Sequence, residues 1–261
     1  MNVDTDRLLQ LKRDGETADI LLGGRLTVFQ KATGYRFSID ALLLSHFVRL
    51  RKGQRVVDIG TGSGVIALVL ACRFPYARIT GVEIQKDLAD MARRSIEVNR
   101  LAGRVEIREG DITQVRADFP PDSFDVAVFN PPYRKLNSGR VNPDPERAIA
   151  RHEIKGSLGD FMESARVLLK DGGTVYAIYP AKRGTELLFQ MRRATMEPKR
   201  LRMVHSRLAS DGEFILVEGV KRGGEECVIM PPLFIYGDGQ GYSPEMECIF
   251  SEIACPDGFG D

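Results

Sequence analysis

The residues best suited to chemistry form the run VFNPPYRK, in which an amide, two prolines and an aromatic ring follow an apolar segment. Asn130 has a side-chain carbonyl oxygen that can accept a hydrogen bond, and the backbone carbonyl of Pro131 is a second acceptor. Pro131 and Pro132 fix their own φ and restrict the preceding residue, so the two acceptors are held in one arrangement. Together they can accept both hydrogens of an NH2 group, and Tyr133 can stack on the planar group behind it. In isolation, the same four residues would often be only a turn.

A glycine-rich loop, DIGTGSG, lies at 58–64. Glycines let the backbone approach a ligand, and the following helix offers unpaired N–H groups. The dinucleotide fingerprint G-x-G-x-x-G is absent, because Val65 and Ala67 stand where its third glycine would fall, and this disfavours an NAD-dependent oxidoreductase. The leading Asp58 is a poor neighbour for pyrophosphate but a good one for an ammonium group. The loop resembles motif I of class I S-adenosylmethionine-dependent methyltransferases, and its candidate cofactor contacts are Asp58, Gly60, Thr61, Gly62 and Gly64.

Two further acids lie where that resemblance requires them. Glu83 falls at the end of the second predicted strand, where its carboxylate can accept both ribose hydroxyls, and Asp111 ends the third, where it can bind an adenine amino group. Ile84 and Ile112 follow these acids and complete the candidate cofactor contacts, with the Ile112 N–H beside the adenine. Either acid alone could be a helix N-cap or a solvated turn. Three polar positions at three consecutive strand ends favour a cofactor site.

An alternation of apolar runs and amphipathic segments must position these residues. Strands are predicted at 55–60, 78–84, 104–111, 123–130, 174–180, 199–207 and 212–222, and helices at 64–74, 85–103, 157–173 and 184–196. This pattern predicts an α/β fold with a doubly wound, mostly parallel, seven-stranded Rossmann-like sheet. The last two strands are joined by LASDG, which is too short for a crossover helix, so we expect an antiparallel pair at one edge of the sheet.

Length and composition favour one soluble globular body. The chain has 261 residues and a net charge of +1, so any nucleic-acid surface must come from local clustering. We expect a flank at 1–50, a catalytic domain at 51–225 and a C-terminal extension at 226–261. The N-terminus is polar and the apolar runs are too short to span a membrane, which predicts a cytoplasmic protein. Neither disulfides nor a zinc site are expected, because no CxxC pair occurs among Cys72, Cys227, Cys248 and Cys255.

Across nearly its whole length the chain resembles the bacterial tRNA adenine-N6-methyltransferases that modify valine tRNA next to the anticodon. The stretches that carry the resemblance are GYRFSIDALLLSHF, VVDIGTGSGVIAL, FNPPY, AIARHEIKGSLGDFMESARVLLKDGG, EPKRLRMVHSR and PPLFIYGDGQGYSPE. The resemblance implies N6-methylation of an adenine in tRNA, with Asn130, Pro131 and Tyr133 at the target base. It also implies that RFSID closes over the methionine end of the cofactor, with Arg36 and Phe37 as contacts.

Basic segments favour an RNA substrate. A basic loop at 134–155 follows the NPPY motif, and a second basic region lies at 192–207. Structural roles are favoured for the three histidines, His46, His152 and His205. The NPPY motif alone does not distinguish adenine from cytosine or a glutamine amide. A protein glutamine N5-methyltransferase and a non-catalytic RNA-binding protein therefore stay open as alternatives, as does the oligomeric state.

Overall fold

The computed structural model describes residues 5–33, 38–131 and 156–254. Its helices are α1 (Thr5–Leu11), α2 (Ile39–Phe47), α3 (Val65–Arg73), α4 (Lys86–Val98), α5 (Val115–Asp118), α6 (Leu158–Leu168), α7 (Gly184–Arg193) and α8 (Pro244–Ala254). Its strands are β1 (Glu16–Leu21), β2 (Leu26–Lys31), β3 (Arg55–Ile59), β4 (Arg78–Glu83), β5 (Val105–Glu109), β6 (Phe124–Phe129), β7 (Leu169–Pro180), β8 (Met196–His205), β9 (Gly212–Lys221), β10 (Val228–Ile229) and β11 (Leu233–Phe234). No helix within these ranges has both the length and the apolar composition of a membrane span.

A large sheet forms the centre of the described residues, with the order β10-β8-β9-β7-β6-β3-β4-β5 and with β11 also paired to β8. Strands β5, β4, β3, β6 and β7 pair in parallel, whereas β9 is antiparallel to both β7 and β8. The seven predicted strands and their doubly wound, mostly parallel arrangement are thus confirmed.

The predicted antiparallel pair of the last two strands is present on one side of the sheet, as β8 and β9, but the strand that runs antiparallel to its neighbours, β9, is the inner one of the pair rather than the edge strand. Strand β9 is inserted between β7 and β8, and the short strands β10 and β11 flank β8. The reason is burial: Ile215, Leu216 and Val217 of β9 are consecutive and all buried, which requires cover on both faces. Strand β8 alternates buried with partly exposed residues and suits a position nearer the edge.

Helices cover both faces of the sheet because consecutive residues of each strand point to opposite sides. Val56 belongs to a buried cluster with residues of α2, α3, α4 and α8, whereas its neighbour Val57 belongs to a second cluster with residues of α5, α6 and α7. The two-sided burial explains why the strands are near-continuous apolar runs in the sequence.

Two helices end about five residues earlier than their patterns predict. Helix α4 was expected to extend to Gly103 but ends at Val98. Asn99 follows it, donates to the Thr27 carbonyl at 2.6 Å and accepts from the Thr27 N–H at 2.9 Å, so a tertiary contact with β2 ends the helix. Arg100 then adopts a left-handed φ of 58°.

Helix α6 was expected to run to the glycine pair at 172–173, but it ends at Leu168. Leu169 is already extended and pairs with Phe124, while Thr174 pairs with Val126, so the residues between them form an irregularity in β7. The buried ammonium group of Lys221 donates to the Leu169 carbonyl at 2.5 Å and fixes this segment.

Both flanks pack on this body. The flank before residue 50 contains helix α1, the hairpin of β1 and β2, and helix α2. Arg94 of α4 binds both carboxylate oxygens of Glu16 at 2.7 and 2.6 Å and fastens the hairpin. The segment after β9 is held to the body by α8, where Glu252 Oε2 lies 2.8 Å from His46 Nε2 of α2. The division at residues 50 and 225 stays a prediction.

Candidate functional site

The candidate residues meet at one edge of the sheet because the strands that carry them are parallel and in register. Asp58 of β3 pairs with Gly81 of β4 and with Val128 of β6. Glu83 pairs with Glu109, two residues before Asp111. Asn130 directly follows β6. The carboxyl ends of β3, β4, β5 and β6 therefore present the three acids and Asn130 to one crevice.

The loop between β3 and α3 depends on glycine. Gly60, Gly62 and Gly64 all have left-handed φ values, of 73°, 58° and 83°, which side-chain-bearing residues rarely adopt. A Cβ at Gly60 would lie 2.9 Å from the ring of Phe161 on α6, closer than such atoms can approach. The Gly60 and Thr61 N–H groups donate to the Val82 carbonyl at 2.9 and 3.0 Å, so the loop is fixed to β4.

Asp58 is a fully buried carboxylate with one unused oxygen. Its Oδ2 accepts from the Thr61 hydroxyl at 2.5 Å, and its Oδ1 has no hydrogen-bond partner among the described residues. Burial raises the pKa of Asp58 to about 7; the Thr61 hydroxyl and the Ala67 N–H act in the opposite direction, and the Glu83 carboxylate adds to the rise. A buried carboxyl group that is costly to ionise and has an oxygen without a partner is suited to a cationic ligand, because the cation would stabilise the ionised form.

Glu83 is held by backbone donors from two directions. Its Oε2 accepts from the Gly62 N–H and its Oε1 from the Gln85 N–H, each at 2.9 Å. Burial raises the pKa of Glu83, whereas these N–H groups and that of Ile84 favour its charged form. Each carboxylate oxygen has a second lone pair, so the oriented group can still accept hydrogen bonds from vicinal hydroxyls.

Asp111 caps a short 3-10 helix formed by residues 112–114. Its Oδ1 accepts from the Thr113 N–H at 2.9 Å and from the Thr113 hydroxyl at 2.7 Å. The capping role considered from the sequence is therefore present. Ile112 is buried, and its carbonyl accepts from the Ser164 hydroxyl of α6 at 2.6 Å. Helix α6 thus fixes the backbone beside Asp111.

At the end of β6, Asn130 is half-buried and Pro131 is buried. The preceding Phe129 is fully buried, and its ring centroid lies 5.5 Å from that of Phe161. Phe161 therefore contacts strand β6 and also closes over Gly60. Sequence reasoning missed this residue. Its helical spacing places it on an apolar face, but the sequence does not show which residues that face contacts.

Several predicted residues lie outside the described residues, namely Arg36, Phe37, Pro132, Tyr133, His152 and the basic loop 134–155. The two histidines within the described ranges have structural contacts. Burial lowers the pKa of His46, which pairs with Glu252, and His205 Nδ1 lies 2.8 Å from the Ser210 carbonyl. In the described part of the chain, no cluster of three or more histidine, cysteine or acidic side chains could hold a metal ion.

Most cations of the predicted basic region at 192–207 bind within the protein. Their partners are carbonyls and acids, several of them in the segment after β9. Lys199 donates to the Glu225 carbonyl at 2.8 Å, Arg200 pairs with Glu218 at 2.8 Å, Arg202 pairs with Glu245 at 2.6 Å, and Arg207 donates to the Gly237 carbonyl at 2.7 Å. The bonds of Lys199, Arg202 and Arg207 fasten the segment after β9 to β8 and the residues that follow it, and all four use much of the positive charge of the region.

A protein family matches this chain over the same site. The methyltransferase small domain family matches residues 38–198, a range that contains the glycine loop, the three acids and Asn130. A tRNA1(Val) (adenine(37)-N6)-methyltransferase of Porphyromonas gingivalis is 34% identical over 175 residues, which cover 65% of this chain and 68% of that protein. A protein of the same name from Vibrio campbellii is 26% identical over 221 residues, covering 85% and 89% of the two chains.

A solved structure supports the fold. The crystal structure of a predicted O-methyltransferase from Agrobacterium tumefaciens superposes with a TM-score of 0.68 at 23% identity and covers 82% of this chain and 96% of that one. At this identity the likeness shows a shared fold.

Proposed function

The chain belongs to the methyltransferase small domain family, and from this membership we propose that it uses S-adenosylmethionine to methylate the exocyclic N6 of an adenine in tRNA, next to the anticodon. The curated relatives from Porphyromonas gingivalis and Vibrio campbellii are named for this reaction. A tRNA substrate also supports a cytoplasmic location. Within this proposal, residues 51–225 are the catalytic domain, and residues 1–50 and 226–261 are its flanks.

The observation that carries the cofactor assignment is the orphaned Oδ1 of the buried Asp58. S-adenosylmethionine has an α-ammonium group, and a buried carboxylate with a free oxygen is its natural partner. Glu83, held by two backbone N–H groups, is oriented to accept the two ribose hydroxyls. Asp111 and the Ile112 N–H then bind the adenine, and the left-handed glycines leave room for the backbone to approach the ligand. Arg36 and Phe37 are the proposed contacts of the methionine end.

The target site is proposed at Asn130 and the residues after it. The Asn130 side-chain oxygen and the Pro131 carbonyl accept the two hydrogens of the adenine NH2, which turns the nitrogen lone pair toward the cofactor. When bound, S-adenosylmethionine supplies an electrophilic methyl group on a sulfonium. The residues of the chain act by positioning the nitrogen in line with that methyl, and Pro132 and Tyr133 support the planar base. No strong general base is required in advance, because the amine can lose its proton to water after transfer.

RNA contacts are proposed mainly for the basic segment 134–155, which directly follows the target-base residues. In the second basic region, Lys199, Arg200, Arg202 and Arg207 are engaged within the protein, and Arg192 lies 3.3 Å from Glu197. We therefore assign the RNA contact of this region to Arg193, which is exposed on α7. The target adenine must leave its stack to reach the crevice, and loop nucleotides leave it at least cost.

The test is methylation of unmodified bulk tRNA with methyl-labelled S-adenosylmethionine, in parallel with an RNA-free protein fraction. Digestion of the tRNA to nucleosides should give labelled N6-methyladenosine, and the position is then mapped by sequencing. Label in the protein fraction at a glutamine amide and none in tRNA would overturn the proposal in favour of a glutamine N5-methyltransferase. Bound tRNA with no label in either fraction would indicate a non-catalytic RNA-binding protein.

A further inference from the structure

Helix α7 exposes a large aromatic side chain that its packing does not require. Phe189 is 64% exposed, while Leu187 and Met191 on the opposite face are fully buried against the sheet. The apolar face of the helix is therefore already complete without Phe189. One exposed phenylalanine is common on protein surfaces. What distinguishes Phe189 is the set of residues around it.

Three other exposed residues are spaced three or four positions apart in series with Phe189, namely Lys182, Thr185 and Arg193. These four residues are called the α7 stripe. Lys182 belongs to the 3-10 turn at 181–183 that leads directly into α7. Positions three and four apart lie on the same side of a helix, so these side chains face one direction.

The segment that contains the α7 stripe is strongly basic. Between residues 181 and 193 there are four cations and one acid, a net charge of +3, whereas the whole chain has +1. Two of the cations are neutralised by acids: Arg183 pairs with Glu186 at 2.8 Å, and Arg192 lies 3.3 Å from Glu197. Lys182 and Arg193, the two cations of the stripe, form no hydrogen bond or ion pair with any residue that the structure describes.

The α7 stripe begins at the edge of the sheet where the target site lies. Strands β6 and β7 are neighbours, about 4.8 Å apart, and Phe129 pairs with Ala177. Asn130 follows Phe129 by one residue, and Lys182 follows Ala177 by five, beyond the end of β7 at the same edge. From there α7 extends for ten residues, about 15 Å, away from the crevice. A nucleic acid with its target base at Asn130 can continue along this helix.

We propose that the α7 stripe binds unpaired nucleotides adjacent to the target adenine, with one nucleobase stacked on Phe189 and phosphates against Lys182 and Arg193. Aromatic stacking accepts any base but requires that the base be unstacked from its neighbours. The cations contact the backbone and carry no sequence information. The stripe thus selects a single-stranded context, such as a loop, and leaves recognition of the target NH2 to Asn130. This assignment rests on the proposed function.

The test compares Phe189→Ala and the double variant Lys182→Ala/Arg193→Ala with wild type, using unmodified tRNA transcript. Phe189→Ala should raise the KM for tRNA about tenfold, with kcat at saturating tRNA and the Kd for S-adenosylmethionine unchanged. The double variant should lower the slope of log affinity against log salt by about 1 to 2. Phe189→Tyr keeps a stacking ring and should retain the wild-type KM, which separates stacking from any effect on folding.

Two matched controls lie away from the stripe. Ile20→Ala removes an apolar side chain of similar exposure, 59%, from β1. Lys52→Ala removes an exposed cation just before β3, at the opposite edge of the sheet. Both should leave the KM for tRNA unchanged.

Wild-type protein that methylates tRNA while Phe189→Ala keeps the wild-type KM would overturn this inference alone. A Phe189→Ala variant that retains tRNA affinity but loses self-association would overturn it in favour of a second copy of the chain. Wild-type protein that does not methylate tRNA would remove the proposed function and this inference with it.

Discussion

Replacement of Asp58 by asparagine should stabilise the ligand-free protein at alkaline pH and weaken its binding of S-adenosylmethionine. Burial raises the pKa of Asp58 from 3.8 to about 7. In the unfolded chain this carboxyl ionises near pH 4, so between about pH 4 and 7 the folded state binds a proton that the unfolded state has lost. The free energy of unfolding therefore decreases as pH rises through this window. Above about pH 7 the loss of stability caused by ionising the buried Asp58 is complete and no longer changes with pH.

The size of the effect follows from the two pKa values. A difference from 3.8 to about 7 corresponds to about 4 kcal/mol, at about 1.4 kcal/mol per pKa unit. Asparagine removes this penalty but places an NH2 group where Oδ1 has no partner, and an unsatisfied buried donor costs about 1–3 kcal/mol. We expect a net gain of about 1–3 kcal/mol at pH 8.5 and no gain at pH 4.5. Loss of the charged partner of the ammonium group should weaken cofactor binding about tenfold to a hundredfold.

Urea unfolding of wild type and Asp58→Asn at pH 4.5 and 8.5 measures the first effect, and calorimetric titration with S-adenosylmethionine measures the second. Asp118→Asn is the control, because Asp118 is an exposed carboxylate at the end of α5. A stability difference that is the same at both pH values would refute the assignment of a raised pKa to Asp58. Unchanged cofactor affinity would show that the orphaned oxygen does not meet a cation.

Three further substitutions test the crevice. Gly60→Ala should lower cofactor affinity at least about tenfold, because its Cβ would lie 2.9 Å from the Phe161 ring at a φ of 73°; native affinity by calorimetry would contradict this requirement for glycine. Glu83→Gln should raise the Kd for S-adenosylmethionine about tenfold or more, since a charged acceptor of the ribose hydroxyls becomes neutral, and an equal Kd would remove that role. Asn130→Ala should reduce kcat for tRNA methylation more than about a hundredfold while cofactor affinity stays native; near-normal turnover would exclude Asn130 from the target site.

The central sheet and its functional edge were predictable because their signals are local. Buried parallel strands are short apolar runs, and Asp58, Glu83 and Asp111 occur within or just after three of them. The fold class required only that these runs alternate with helical segments. The left-handed loop was visible as Gly60, Gly62 and Gly64, because glycine is the residue that adopts such a backbone without strain.

Element boundaries and charged surfaces depended on contacts between distant residues. Helix α4 ends at Val98 because Asn99 binds Thr27 of β2, a partner 72 residues away. Arg200 and Arg202 form part of a basic sequence motif, yet both pair with acids from other elements. Composition counts charges but not their partners, so the basic region at 192–207 could not be divided into structural and exposed cations from the sequence.

The sequence by itself determined the fold class, the glycine loop and the chemistry available at Asn130, because each depends on residue type and on spacing along the chain. Only the tertiary structure decided that Phe161 joins the glycine loop to β6, that β9 lies between β7 and β8, and that Phe189 is left in solvent beside two cations with no partner among the described residues. The physical reason is that burial and pairing are properties of a side chain and its neighbours in space, and those neighbours are brought together by the packing of the whole chain.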